Sequence, residues 1–203
     1  MKNYGVTKEG ILFQKVVRPK TVEYAEQYNS YGEISNYMSY LRLGHIVGAL
    51  GRLPVTLLDV GYGNGSFLQS CLQSGIESWG YDISDYPLPE GAEIGDIYNS
   101  YDVISFYDSL EHFSNIEFVK DLQCNYLVIS VPECHFPEDE EWLMNWRHLR
   151  PDEHLWHFNR NSLTEFLKEQ YDLVCESSVE DTIRKNEGQP ENNILTAIYR
   201  RIV

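Results

Sequence analysis

From Val55 to Val60 the chain reads Val-Thr-Leu-Leu-Asp-Val, a β-favouring run with no alternation between polar and apolar faces. Such a run fits a strand covered by helices on both sides. The chain turns at Gly61–Gly65, and Ser66–Gln73 then repeats apolar residues at helical spacing. The pattern predicts further strands over Glu77–Ile83, Ala92–Ile97, Tyr101–Tyr107 and Tyr126–Val131, with a helix over about Ser109–Leu122 between the last two. Upstream, Ile34, Tyr37, Met38, Leu41, Leu43, Ile46, Val47 and Leu50 recur at helical intervals, predicting a helix over Glu33–Leu50 that breaks at Arg52–Pro54. Downstream, Ser162–Gln170 reads as a helix with Ser162 and Glu165 at capping-box spacing. Two strand-like runs, Tyr171–Val179 and Asn193–Val203, close the chain around a polar Gly/Pro connector.

Alternating strands and helices predict an α/β fold: a doubly wound, mostly parallel seven-stranded sheet, its last two strands forming an antiparallel C-terminal edge hairpin. Residues 1–50 read as an N-terminal helical cap or lid, and 51–203 as the body of one globular unit. The polar stretch Pro132–Phe158, rich in Trp and His, is too long for an ordinary connector and predicts a functional loop or lid.

Composition narrows the partners. The chain has 31 acidic against 16 basic residues, a formal net charge of −15. That surplus repels phosphate backbones and anionic lipid, which disfavours nucleic-acid and membrane partners. Cys71, Cys124, Cys134 and Cys175 show no metal-binding or disulfide spacing, and the first twenty residues lack an apolar signal core. A cytoplasmic protein with reduced thiols is expected; its oligomeric state is not legible.

Asp59-Val-Gly61-Tyr-Gly63-Asn-Gly65 carries the chemistry. Glycines at alternate positions after a buried strand let backbone approach a ligand, and the following helix offers free N–H groups to an anion. A dinucleotide fingerprint places its third glycine where Ser66 stands; here it is Gly65, with Asp59 directly before the loop. A carboxylate there crowds a pyrophosphate but pairs with an ammonium, so the expected ligand carries an amine and a carboxylate. Asp82, about 20 residues past the first glycine, suits a ribose diol. Asp96 beside Ile97 suits an adenine.

These pieces, with Tyr101–His112, Tyr126–Pro132 and Pro151–Leu167 in the same order, resemble class I S-adenosylmethionine-dependent methyltransferases, a Rossmann-like class. The resemblance implies that S-adenosyl-L-methionine is the cofactor, that Gly61, Gly63 and Gly65 line its methionine part, that Asp82 with Ile83 holds the ribose, and that Asp96 with Ile97 meets the adenine. Tyr107 and Asp108 are placed against the cofactor as well. Tyr62 departs from the small residue common in that class.

The candidate catalytic residues are Asp108 and His112, after the fourth strand, and His154 in the long loop. Asp108 and Glu111 also stand at capping-box spacing, and Asp108 and His112 share a helical face if a helix begins there. Methyl transfer is an in-line displacement that needs an aligned nucleophile in a dry pocket, and a base only where the nucleophile is protonated. The expected acceptor is a small molecule or glycan-like compound methylated at O or N. One alternative is a non-catalytic S-adenosylmethionine-binding regulator. Another is a metal-dependent RNA 2′-O-methyltransferase, since Asp108-x-x-Glu111-His112 with His154 is similar to the metal-binding set of small-RNA enzymes; no metal is expected on the leading reading. Tyr24, Tyr28, Tyr31, Tyr37 and Tyr40 are read as a possible cofactor lid, with Arg42 reaching the cofactor's carboxylate.

Overall fold

A computed structural model describes residues 2–18, 33–135, 140–184 and 192–202. Tyr24, Tyr28 and Tyr31 of the expected lid lie outside them.

Seven strands form the central sheet: β3 (Thr56–Val60), β4 (Glu77–Tyr81), β5 (Glu93–Ile94), β6 (Tyr101–Tyr107), β7 (Cys124–Pro132), β9 (Tyr171–Ser177) and β10 (Ile194–Arg201), in the spatial order β5-β4-β3-β6-β7-β10-β9. The first five are mutually parallel; β10 inserts antiparallel between β7 and β9, as the helix-free terminal runs predict. Because successive strand residues point to opposite faces, each central strand feeds two cores. Leu58, Ile104, Phe106, Leu127 and Ile129 face α4 (Arg160–Leu167) through Leu163, Phe166 and Leu167. Leu57, Val103, Val128 and Ile198 face the other way, against Leu43 and Ile46 of α1 (Glu33–Leu50) and Phe67, Leu68 and Cys71 of α2 (Ser66–Gln73). Burial on both faces explains why these strands read as continuous apolar runs.

Three details depart from the sequence pattern. The segment after β6 is no α-helix but two short 3₁₀ turns, Leu110–His112 and Glu117–Asp121, so Asp108 and His112 share no helical face. Helix α4 begins at Arg160, and its capping box is Asn159 with Ser162 rather than Ser162 with Glu165. Asn159 Oδ1 accepts the Ser162 N–H at 2.9 Å while Ser162 Oγ accepts the Asn159 N–H at 2.9 Å.

The third departure organises the lid. Strands β1 (Tyr4–Val6) and β2 (Leu12–Gln14) form a hairpin, and β2 pairs with β8 (Trp156–His157) inside the long loop. Leu12 joins Cys134, Leu143 and Trp146 in a small separate core, in which Leu143 belongs to α3 (Glu140–Asn145). The N-terminal strands thus clamp the histidine-rich loop from outside. Among the described residues, no helix is long and apolar enough to cross a membrane.

Candidate active site

The glycine loop leaves β3 at its carboxyl end, where ligands sit in open α/β sheets. Gly61 has φ +82°, and a Cβ added there would lie 2.5 Å from Ser109 Cβ. Its N–H donates to the Tyr81 carbonyl at 2.6 Å, and Ser109 Oγ donates to the Val60 carbonyl at 2.6 Å, tying the ends of β3 and β4 to the turn after β6. Gly65, directly before α2, has φ +73°, and a Cβ there would meet Pro89 Cδ at 2.8 Å. Asp82 follows β4 and accepts the Gly63 N–H at 3.1 Å and the Ser84 N–H at 2.8 Å. Tyr62 is buried and donates to the Tyr86 carbonyl, so the loop's unusual residue supports the 82–92 segment.

Asp59 lies on the α1/α2 face of β3, beside Ser105 of β6, whose hydroxyl donates to it at 2.7 Å. Burial raises its carboxyl to about 6, against the opposing effects of Ser105 and the Arg42 guanidinium.

The centre of the cleft is an ion cluster that sequence spacing did not indicate. Glu180 is fully buried. It receives Arg42 Nε at 2.9 Å and Arg184 Nη2 at 2.6 Å, and the Ser130 hydroxyl at 3.1 Å. Arg184, from the short helix α5 (Asp181–Arg184), also grips Asp108, through Nη1 at 3.1 Å and through Nη2. Arg42 Nη2 reaches Asp108 at 3.4 Å and stacks its guanidinium 4.1 Å above the Tyr107 ring. Burial pushes the Asp108 carboxyl up, yet the charge and hydrogen bonds of Arg184, aided by Arg42, hold it at about 2. Asp108 sits at φ +52°, a left-handed conformation that turns its carboxylate toward Arg184. The expected Asp108–Glu111 capping box is therefore absent: the 3₁₀ turn has no side-chain cap. Arg42 is engaged by the two acids, and Arg184 and Glu180 are the members that sequence reasoning missed. Glu180 directly precedes, and Arg184 ends, a four-residue helix in the polar connector, which carries no periodic signal.

The far wall is made of histidines. His112 Nδ1 lies 2.9 Å from the Glu153 carbonyl, and His154 Nδ1 lies 2.8 Å from the His148 carbonyl. A carbonyl only accepts, so each Nδ1 carries the proton and each neutral ring presents an Nε2 lone pair. The rings of His112 and His154 meet edge to face, with centroids 4.7 Å apart. Burial is the main cause lowering all three imidazoles: His112 falls, His148 goes to about 4 and His154 to about 3. Beside His112 and His154 lies Glu111, buried, with both carboxylate oxygens lacking a hydrogen-bond partner among the described residues. Burial, reinforced by the charge of Asp108, pushes its carboxyl well above the ordinary carboxylate range. Its own backbone N–H pulls the other way without reaching hydrogen-bonding geometry.

One cavity of about 370 Å³ joins these parts, running from Asp59, Gly61 and Gly63 past Asp108 and Arg184 to His112 and His154. Tyr107 lines it, its hydroxyl buried without a partner. Asp82 and Ile83 lie at the end of β4 just outside that lining, Ile83 largely exposed. Ile97 is buried in the main core, and Asp96 lines a separate depression with Thr56, Trp79 and Tyr101, where it accepts the Tyr98 N–H at 2.9 Å. The structure thus gathers Asp59, Gly61, Gly63, Tyr107, Asp108, His112 and His154, sets Gly65 and Asp82 beside them, and leaves Asp96 and Ile97 apart.

Comparisons with known proteins agree with this architecture. Residues 36–178 match the family model described as a methyltransferase domain. No curated protein matches the chain in sequence. Among solved structures, the 1,6-didemethyltoxoflavin-N1-methyltransferase of Burkholderia thailandensis, determined with its acceptor and S-adenosylhomocysteine, superposes with a TM-score of 0.63 at 16% identity, over 99% of this chain and 100% of that one. The magnesium protoporphyrin IX methyltransferase of Synechocystis PCC 6803, with bound S-adenosylhomocysteine, gives a TM-score of 0.58 at 15% identity, over 89% and 94% of the two chains. The plantazolicin methyltransferase BpumL gives 0.60 at 15% identity, over 89% and 90%. With a match across residues 36–178 and this sheet order, the chain belongs to the methyltransferase-domain family of Rossmann-like, S-adenosylmethionine-dependent enzymes.

Proposed function

We propose that this chain methylates a small-molecule or glycan-like acceptor at oxygen or nitrogen, with the cofactor held by the glycine loop and the acceptor by the histidine wall. One observation carries this reading: a single cavity is bounded by Asp59 and Gly61–Asn64 at one end and by His112, His148 and His154 at the other. The segment after β7 supplies much of that second end through Pro132, His148, Arg150, Glu153 and His154. A wall that excludes water favours transfer over mere binding of the cofactor.

When bound, S-adenosylmethionine supplies a methyl group already activated on a sulfonium. Asp59 places a carboxylate where the ligand's ammonium is expected, and Asp82, at the end of β4, offers a carboxylate to the ribose diol. Asp108 is committed to Arg184 and acts as a positioning residue. His112 and His154 stay neutral at pH 7 and, with their Nδ1 atoms held by backbone carbonyls, shape the end of the cavity that orients the acceptor. Their lowered basicity makes them orienting groups rather than strong bases, which suits a reaction whose main demand is alignment.

The test is thermal and chemical stability with S-adenosylmethionine, S-adenosylhomocysteine or NAD. At about 100 times the dissociation constant, a true ligand adds roughly 2.7 kcal/mol to native stability. A shift with NAD and none with either sulfur compound would sink the proposal.

A further inference from the structure

We infer that Glu111, His112 and His154 form a binding site for a divalent transition-metal ion on the acceptor side of the cleft. One ligand-capable atom from each residue falls within 4.8 Å of the others. Ligand bonds of about 2.0–2.2 Å set neighbouring donors roughly 3–3.5 Å apart, so the site closes on an ion by about an ångström of side-chain movement.

Three features point to a cation here. Both Glu111 oxygens are buried and without a partner among the described residues, whereas the large majority of buried side-chain polar atoms in folded proteins are hydrogen-bonded. Both histidines are fixed through Nδ1 on backbone carbonyls, the arrangement that orients a metal-ligating imidazole and leaves Nε2 available. Finally, among the described residues no donor is hydrogen-bonded to either Glu111 oxygen. Arg150, which lines this end of the cavity, is engaged by Glu153 at 3.1 Å. A protonated Glu111 could donate to one imidazole, but no such bond is formed. A cation satisfies two lone pairs and one negative charge together.

The donor set decides the class of ion. Two imidazoles and one carboxylate suit Zn²⁺ or Fe²⁺, whereas Mg²⁺ and Ca²⁺ prefer oxygen ligands throughout. Asp108, the other acid of the segment, is held by Arg184 and takes no part. Three protein ligands leave open positions on the cavity side, fitted to an oxygen donor of the acceptor; that last step rests on the methyl-transfer reading above.

The experiment strips the full-length protein with chelator and dialyses it against Zn²⁺, with the bound metal quantified, and in parallel titrates Co²⁺ and reads its visible d–d absorption. S-adenosylhomocysteine binding is measured by calorimetry on the same samples. One Zn²⁺ per chain, a cobalt spectrum of low coordination number, and loss of affinity by roughly 100-fold in both Glu111→Gln and His154→Ala are expected, with a thousand-fold excess of Mg²⁺ failing to compete. His112→Ala, judged alongside by circular dichroism, guards against a single misfolded variant. Substoichiometric metal, or binding that survives all three substitutions, overturns the site. S-adenosylhomocysteine binding without metal binding removes this inference and leaves the cofactor reading standing; metal binding without it does the reverse.

Discussion

Gly61 is where the loop, the sheet and the acceptor segment are locked together, and a single methyl group there tests the geometry. Gly61→Ala meets two obstacles. At φ +82° an L-residue with a Cβ loses about 1–2 kcal/mol relative to glycine. The new Cβ would also stand 2.5 Å from Ser109 Cβ and 3.1 Å from its Oγ, an overpacked contact that costs about 1–3 kcal/mol more. The total, about 2–5 kcal/mol, is within the stability of an ordinary domain, so the variant folds but is weakened.

A double-mutant cycle separates the two terms. Ser109→Gly deletes the clashing atoms, together with the 2.6 Å bond from Ser109 to the Val60 carbonyl, and alone destabilises by about 1–2 kcal/mol. In the double variant the steric term vanishes and the backbone term stays. Urea unfolding at constant m-value should therefore show the pair to be less damaging than the sum by about 1–3 kcal/mol. Additivity within about 0.5 kcal/mol, or a Gly61→Ala penalty below 1 kcal/mol, refutes the placement of Ser109 against the loop.

Two further predictions follow from the buried charges. Glu180→Ala leaves Arg42 and Arg184 with Asp108 as their one remaining shared acid among the described residues and destabilises the fold by about 3–5 kcal/mol in urea, with Glu180→Gln recovering part of it. Asp59 has a folded pKa of about 6 against an ordinary 3.8, so its proton is bound more tightly in the native state and its contribution to stability, full below pH 4, is lost as pH rises through 6. The difference between wild type and Asp59→Asn should change by about 2.4 kcal/mol between pH 4 and pH 7.5, measured by chemical denaturation; a flat difference would show that Asp59 is not desolvated.

The sheet was legible because its central strands are covered on both faces, which writes near-continuous apolar runs such as Val103–Phe106 and Leu127–Val131 into the sequence, each broken by a single buried serine. The glycine loop was legible because positive φ and close approach leave glycine as the favoured residue at Gly61 and Gly65. What escaped was set by tertiary contact. Leu110–His112 looked helical, yet Asp108 turns left-handed and meets Arg184, 76 positions away, and the segment after it forms only short 3₁₀ turns. The strands β1 and β2 are three residues each, too short to show alternation, and exist because β8 offers them an edge. The caps failed for a similar reason: Asn159 competes with Ser162 for the same helix start, and spacing alone does not rank them. Asp96 follows the family's order in sequence but accepts the Tyr98 N–H beside a different depression.

The charges of the cleft sort by partner, and the sorting bears on ligand binding. Arg42 and Arg184 against Asp108 and Glu180 sum to zero, so this cluster fixes shape at the junction of β6, β7 and the segment after β9 without attracting either sign of ligand. Glu111, given to a cation, is likewise compensated. Asp59, bonded to a neutral hydroxyl and facing the cavity, keeps negative charge for the ligand. On the function proposed above, that charge faces the ammonium, which the methyl donor and the spent thioether have in common. The glycine loop leaves room for a ligand to approach, and Asp59, bound into the sheet through Ser105, fixes a carboxylate at that end of the cavity, so the loop sets the access and the acid sets the charge.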